Sequence, residues 1–356
     1  MNDMNESSDF WAATRVYFER RLIIIFLMGF ASGLPLLLSG ATLSIWLTEA
    51  GVTLTAIGLF ALVGTPYNLK FVWAPLIDRV PLPFLSARLG RRRSWMVVVQ
   101  LGLMAAIAGL GFSDPASEPF VTAALALCVA FFSASQDIVI DAYRIEILDE
   151  DQQGAGAAMT QAGYRLGLIA AGAGALFLAE VADWSLVYGA MAVLVLVGLM
   201  VALYAPAPGL DTAPSETPQD LGGRLKEAVV EPFHEFFTRN SMAVAFAILA
   251  FILLYKLGDA FAGVMANPFY IKIGFTKSDI ATVSKIFGVF ATLAGVFIGG
   301  MAVKRYGILP SLLVFGIFQM FSNLMFAAQA AIGPDVGFLY LTIGIENLSG
   351  GMGSSA

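Results

Sequence analysis

Ten times along its 356 residues this chain runs for roughly twenty positions or more on almost nothing but apolar side chains. The hydrocarbon core of a bilayer needs about 20 such residues per helix. The stretches at about 22–47, 54–77, 94–112, 120–142, 155–179, 184–204, 242–266, 279–303, 308–330 and 336–356 therefore predict ten spanning helices. A membrane β-barrel would instead show alternating segments of about ten residues, and the chain has none. The residue balance leads the same way. Only 13% of the residues are charged and 58% are hydrophobic, whereas a soluble domain carries about 25% charge. The fold class this predicts is an all-α polytopic membrane protein.

Scarce residues narrow the chemistry. With one His (His234) and one Cys (Cys128), no disulfide framework, Cys/His zinc site or His-based triad can be assembled. The expectation is a protein that is not an enzyme, with no metal and no organic cofactor. Cys128 sits in an apolar run and reads as a small buried hydrophobe. The net charge of −6 argues against a nucleic-acid partner.

The placement of cations predicts orientation. Fourteen Lys and Arg fall on one side of the ten spans: at the N-terminus (Arg15, Arg20, Arg21), after span 2 (Arg79, Arg88, Arg91, Arg92, Arg93), after span 4 (Arg144), between spans 6 and 7 (Arg224, Lys226, Arg239) and after span 8 (Lys304, Arg305). Only Lys272 and Lys277 fall on the other. The positive-inside rule puts the N-terminus and the central loop in the cytoplasm. Arg20-Arg21 before an apolar run could open a secretory or twin-arginine signal. The run outlasts a signal's apolar length, however, and no small-residue cleavage site ends it.

Residues 205–240 interrupt the pattern with Pro206, Pro208, Pro214 and Pro218, the mark of a linker. Leu225, Val229, Val230, Phe233 and Phe237 then recur at helical spacing beside Arg224, Lys226, Glu227 and Glu231. That is the pattern of an amphipathic helix on the membrane surface. On either side the chain repeats itself: Gly51-Val-Thr-Leu-Thr-Ala-Ile57 precedes span 2, and Gly274-Phe-Thr-Lys-Ser-Asp-Ile280 precedes span 8. Parallel repeats around a cytoplasmic linker are the plan of the major facilitator transporters. The expected organisation is a cytoplasmic N-terminus (1–21), a six-helix half (22–204), a linker with its amphipathic helix (205–241) and a second half of helices 7–10 (242–356). That half is shorter than the first, so the sequence reads as one truncated after helix 10.

Ionisable groups inside a span are costly and mark function by default. They are Lys70, Asp137, Asp141, Arg165, Lys256, Asp259, Lys285 and Glu346. At 1.5 Å of rise per residue, Arg165 and Glu346 lie roughly 15 Å deep. Neither has a partner on its own helix, so both are expected to face a polar cavity. Lys256 and Asp259 are i, i+3 neighbours that can pair on one face, as functional groups or as structural glue. Asp137, Asp141 and Arg144 form one helical stripe, in which Asp141 and Arg144 are near enough to the interface to cap or snorkel.

Leu76-Ile-Asp78-Arg79 followed by Gly90-Arg-Arg-Arg93 resembles the loop after helix 2 of major facilitator proteins, Gly-x-x-x-Asp-Arg-x-Gly-Arg-Arg. It departs from that pattern by an insertion of about ten residues. Asp78, Arg79, Arg91, Arg92, Asp141 and Arg144 are the expected gate, with an acid meeting the positive end of a neighbouring helix. The second half echoes the loop only weakly, at Gly299-Gly300 and Lys304-Arg305. Glycines recur along spans 1, 5 and 8, where small residues let helices approach. Pro35 is expected to kink span 1.

These residues resemble one family. Gly29-Phe-Ala-Ser-Gly-Leu-Pro35, Ser133-Ala-Ser-Gln-Asp-Ile-Val139 with Asp141, and Gly163-Tyr-Arg-Leu-Gly167 are similar to AmpG-type muropeptide permeases. So are Leu254-Tyr-Lys-Leu-Gly-Asp-Ala-Phe261, Glu346-Asn347, Gly350-Gly-Met-Gly353 and the central run Glu231-Pro-Phe-His-Glu-Phe-Phe-Thr-Arg-Asn240. The resemblance implies multi-pass import across the bacterial inner membrane, driven by protons. The implied cargo is N-acetylglucosaminyl-1,6-anhydro-N-acetylmuramyl peptides from cell-wall turnover, with a link to β-lactamase induction. For such a glycopeptide, Arg165, Lys256 and Lys285 are the expected carboxylate receptors. Gln136, Gln161 and Tyr164 are expected to bond sugar or peptide. Asp137, Asp259 or Glu346 is the expected carrier of the coupling proton. The partners expected are this substrate and the lipid bilayer, with the chain a monomer. The rival readings are a relative carrying acetyl-coenzyme A or a drug, a non-transporting sensor, and a membrane enzyme.

Overall fold

The computed structural model describes residues 16–207, 237–238 and 242–354; the side chains at 16, 151, 243, 252–256 and 259 fall outside that description. Positions 221–236 of the expected amphipathic helix, His234 among them, and the side chains of the expected Lys256–Asp259 pair therefore lie outside the described residues. What is described is helical, with no strand among the described residues. Seven rods are long and apolar enough to cross a membrane: Arg20–Glu49, Arg91–Gly111, Pro119–Ile147, Gln153–Ala179, Trp184–Tyr204, Lys277–Tyr306 and Ile308–Ile332.

The other three expected spans are helical but differ in kind. Helix Met242–Ile273 is 32 residues long and contains Pro268, and Val336–Gly353 is 18 residues long. The stretch at 54–77 is no continuous rod. It runs as short pieces: Leu54–Phe60, a 3-10 turn Ala61–Gly64, Thr65–Leu69, a second 3-10 turn Lys70–Val72, and Ala74–Arg79. Proline has no N–H to give a preceding carbonyl, so it is tolerated in a first turn and not in an interior. Pro66 and Pro75 stand in the first turns of Thr65–Leu69 and Ala74–Arg79. The prolines thus divide what hydropathy alone reads as one helix. Pro35, by contrast, is carried within Arg20–Leu38, and the break comes at Ser39–Gly40, where the Ser39 N–H and hydroxyl both donate to the Pro35 carbonyl.

The chain divides into two compact units, Met1–Trp46 with Phe60–Pro218, and Leu47–Leu59 with Gln219–Ala356. In the first, Leu22, Ile25 and Met28 meet Met96, Val139, Ile140, Tyr143 and Ala202 in a fully buried core. Helices Arg20–Leu38 and Gln153–Ile169 approach through glycine. A Cβ on Gly29 or Gly33 would strike the backbone of Thr160 or Tyr164, and one on Gly163 or Gly167 would strike that of Phe26 or Phe30. With lipid as apolar as leucine, such close packing is what holds two membrane helices together.

The second unit uses the same device between Gly288–Tyr306 and Val336–Gly353. A Cβ on Gly295 would meet the Leu348 carbonyl, and one on Gly351 the Thr292 carbonyl. The segment 47–59 joins this unit through Glu49, which pairs with Lys277 at 2.9 Å. The repeated turns match in detail. Gly51 and Gly274 have φ of 78° and 106°, a conformation costly for any residue with a Cβ. Thr53 Oγ1 accepts from the Ala56 N–H at 3.3 Å, and Thr276 Oγ1 from the Asp279 N–H at 3.1 Å.

Candidate functional site

The groups expected to matter gather at three places, two within the first unit and one within the second. The first begins with Asp137 on Pro119–Ile147. Its Oδ1 accepts a hydrogen bond from Ser32 Oγ at 2.6 Å, and its Oδ2 lies 3.9 Å from Lys70 Nζ. Lys70 is there because the proline-divided segment places a 3-10 turn at 70–72. Beside Asp137, Gln136 is fully buried, and its amide oxygen and nitrogen have no hydrogen-bond partner among the described residues. The buried hydroxyls of Ser133 and Tyr67 likewise close no hydrogen bond, although Tyr67 faces Ser133 and Ser39. Buried polar groups are normally satisfied, so these atoms stand out as hydrogen-bonding capacity left unused among the described residues.

Tyr164 and Arg165 follow on the neighbouring helix, half-buried, and Arg165 Nε has no partner among the described residues. Gln161, expected beside them, is exposed and makes no side-chain hydrogen bond to a described residue. Asp141, one turn from Asp137, is also exposed.

The second cluster stands where the loop motif led. Asp78 Oδ1 meets Arg92 Nη1 at 2.5 Å, Arg92 Nη2 meets Glu146 Oε1 at 2.6 Å, and Arg91 Nη2 stands 3.8 Å from that oxygen. Arg79 ends the short helix that carries Asp78. Two expectations need correction. Asp78 engages a guanidinium in the first turn of Arg91–Gly111, not bare helix N–H groups. Asp141 and Arg144 are outside this network, and Arg144 Nε has no described partner; Glu146 takes the expected place. Residues two apart on a helix point to nearly opposite faces, so Arg144 and Glu146 cannot both face the arginine turn.

Neighbouring arginines close helix ends. Arg93 donates to the carbonyls of Ala202 and Leu203, Arg20 to that of Tyr204, and Arg21 to that of Ile147 while pairing with Asp149. Cations at helix C-termini satisfy orphan carbonyls and the dipole together.

In the second unit, Glu346 accepts from Asn347 Nδ2 at 2.8 Å, and Asn347 Oδ1 accepts from Thr292 Oγ1 at 2.9 Å. Glu346 therefore does have a partner on its own helix, an amide that a search for charges passes over. Lys285 Nζ donates to Asn267 Oδ1 at 2.8 Å, and the Glu346 carboxylate is near enough to act on Lys285 and Tyr270 through its charge. Lys285 lies in a π-helical stretch, Ile280–Phe287, and the rod that carries Arg165 has its own at Ala170–Gly174. Such bulges frequently mark functional positions.

One groove in the first unit, about 380 Å³, is lined by Thr65, Pro66, Leu69, Trp73, Leu127, Cys128, Phe131 and Phe132. It contains none of the charged groups above. Cys128 is exposed there, not buried as its sequence surroundings suggest, because an apolar surface toward lipid needs no burial within the protein.

A helical chain with spanning rods, internally repeated turns and intramembrane charge is the pattern of a membrane transporter. The chain belongs to the major facilitator superfamily, whose model matches residues 22–356. Within it, the chain belongs with the AmpG-type permeases. It is 41% identical over 344 residues to the anhydromuropeptide permease of Escherichia coli K12, covering 96% of this chain and 67% of that protein. It is 34% identical over 345 residues to a putative transporter, AmpG 4, of Rickettsia felis, covering 96% and 82%. Among solved structures, a partially occluded, inward-open xylose transporter from E. coli superposes with a TM-score of 0.59 at 15% identity, covering 94% of this chain and 84% of that one. A D-xylose–proton symporter gives 0.58 at 14%, covering 92% and 79%. At such identities these two speak for the fold alone.

Proposed function

We propose that the protein imports anhydromuropeptides across the bacterial inner membrane, driven by the proton gradient, with its N-terminus in the cytoplasm and as a monomer. The observation that carries this reading is the 41% identity to an anhydromuropeptide permease along 96% of the chain. The sites supply chemistry suited to that cargo. A muropeptide presents sugar hydroxyls, amides and peptide carboxylates. Gln136 offers a buried amide with donor and acceptor both free among the described residues, able to bond a substrate amide or hydroxyl. Tyr164, on the helix Gln153–Ile169, is a further hydrogen-bonding group. Arg165 and Lys285 offer cations for carboxylates.

In this reading Asp137 carries the coupling proton. Its carboxylate lies within a spanning helix, where ionisation is costly unless a cation is near, and Lys70 is that cation. Glu346, held by amides, is the second candidate. The Asp78–Arg92–Glu146 network is a latch that must part as the cavity changes sides. The cargo further suggests that uptake feeds the signal for β-lactamase induction.

The test is uptake of radiolabelled GlcNAc-anhydroMurNAc-tripeptide by proteoliposomes under an imposed proton gradient. Accumulation above the external concentration supports the reading. Uptake of a different solute, with none of this one, would refute it.

A further inference from the structure

We propose that Lys70 is itself a receptor for a substrate carboxylate, and that Asp137 is the internal stand-in holding it until a proton and the substrate arrive together. The inference rests on the reading of the protein as a proton-coupled importer of a peptide-bearing substrate.

The geometry is that of a pair built to be exchanged. Asp137 is fixed on one side only, by Ser32 Oγ at 2.6 Å on Oδ1. Its Oδ2 meets Lys70 Nζ at 3.9 Å, the outer limit of ion pairing and well beyond the 2.7–2.9 Å of a charge-assisted hydrogen bond. The Lys70 side chain is 39% exposed and that of Asp137 22%, so the cation is the more accessible partner. Lys70 opens the 3-10 turn Lys70–Val72, which stands between the short helices Thr65–Leu69 and Ala74–Arg79.

Charge arithmetic makes the two arrivals interdependent. The groups facing Asp137 are Lys70 and Tyr67 from the divided second segment, Asp141 from its own helix, Tyr164 from Gln153–Ile169 and the Ser32 hydroxyl from Arg20–Leu38. Lys70 and ionised Asp137 together are neutral. A substrate carboxylate alone would leave the site at −1, and a proton alone would leave it at +1, each costly inside a membrane protein. Both together restore neutrality. In the step itself one proton from the aqueous cavity bonds to Asp137 Oδ2; the Lys70–Asp137 attraction is replaced by a Lys70–substrate ion pair. No other bond forms or breaks, and release reverses the exchange. Coupling then follows from one cation shared between two carboxylates, with no motion of a remote element required to link them.

The experiment measures binding of GlcNAc-anhydroMurNAc-tripeptide, and of the same compound with its peptide carboxyls amidated, to the purified protein. Proton uptake on binding is read from a pH indicator in weakly buffered solution. Wild-type protein should prefer the carboxylate form and take up a proton as it binds. K70Q should lose roughly tenfold or more for the carboxylate form and little for the amide, while K70R keeps the preference and controls for folding. D137N should bind the carboxylate form with no proton uptake, because its neutral amide leaves Lys70 free. An equal loss for both compounds in K70Q, or undiminished proton uptake in D137N, would overturn the inference alone. Wild-type protein that binds neither compound overturns the muropeptide reading and the inference with it.

Discussion

The two units solve one problem, a charge held within the membrane, in different ways. In the first, Asp137 faces an opposite charge across a loose 3.9 Å gap, its groups drawn from three separate elements. In the second, among the described side chains, Lys285 donates to the Asn267 amide and Glu346 accepts from that of Asn347, which Thr292 holds in turn. An amide solvates a charge without cancelling it, whereas an ion pair cancels it and can be traded for another. The first arrangement suits exchange coupled to protons.

The largest effect is therefore expected at Asp137. D137N should abolish accumulation against a gradient while leaving exchange of labelled for unlabelled substrate; E346Q should lower affinity and retain gradient-driven uptake. Vesicle uptake compared with counterflow reads both, and the reverse pattern would move the proton carrier into the second unit.

Next is the ion-pair network at the arginine-rich end of the first unit. R92A strands Asp78 and leaves the largely buried Glu146 with Arg91 alone, at 3.8 Å, and removing one partner of a buried pair costs about 3–5 kcal/mol. Asp78 keeps 43% of its side-chain surface, so solvent screening argues for the lower part of that range. Thermal unfolding in detergent measures it, and R92K should recover part of the loss.

Smaller again are the glycine contacts, where the two units are expected to agree. Gly163→Ala in the first and Gly351→Ala in the second each press a methyl into a facing carbonyl, at about 1–3 kcal/mol. Gly154→Ala, with open space around it, should be neutral or slightly stabilising. Smallest are the repeated caps. Thr276→Ala should cost about 1 kcal/mol, and Thr53→Ala less, since its bond is the longer one and lacks the reciprocal Asp279 side chain.

Much of this was legible in the sequence, and the exceptions share a cause. Apolar runs located the helices because a bilayer demands length and composition, which a sequence displays directly. Gly51 and Gly274 with their following threonines announced the repeated turns, because capping is a local contact. Asp78 could be singled out since positive-inside placement explains arginines and not an acid. The division of 54–77 is written in Pro66 and Pro75, which hydropathy ignores. What a single sequence hides is contact across distance. Lys70 and Asp137 each stood out as intramembrane charges, yet nothing along the chain joined them. Glu146 stands out only once the fold sets it against Arg92. The amides of Asn267 and Asn347 carry no charge and so escaped a search for charges.

If proton and carboxylate enter the first unit's site as one neutral exchange, coupling must fail once Asp137 can no longer ionise. The most direct measurement is uptake of GlcNAc-anhydroMurNAc-tripeptide by proteoliposomes, with and without an imposed proton gradient, in wild-type protein and D137N. Concentrative uptake that collapses with the gradient is expected in wild type, and in D137N equilibration to the external concentration and no further. Concentrative uptake by D137N equal to wild type would contradict the exchange.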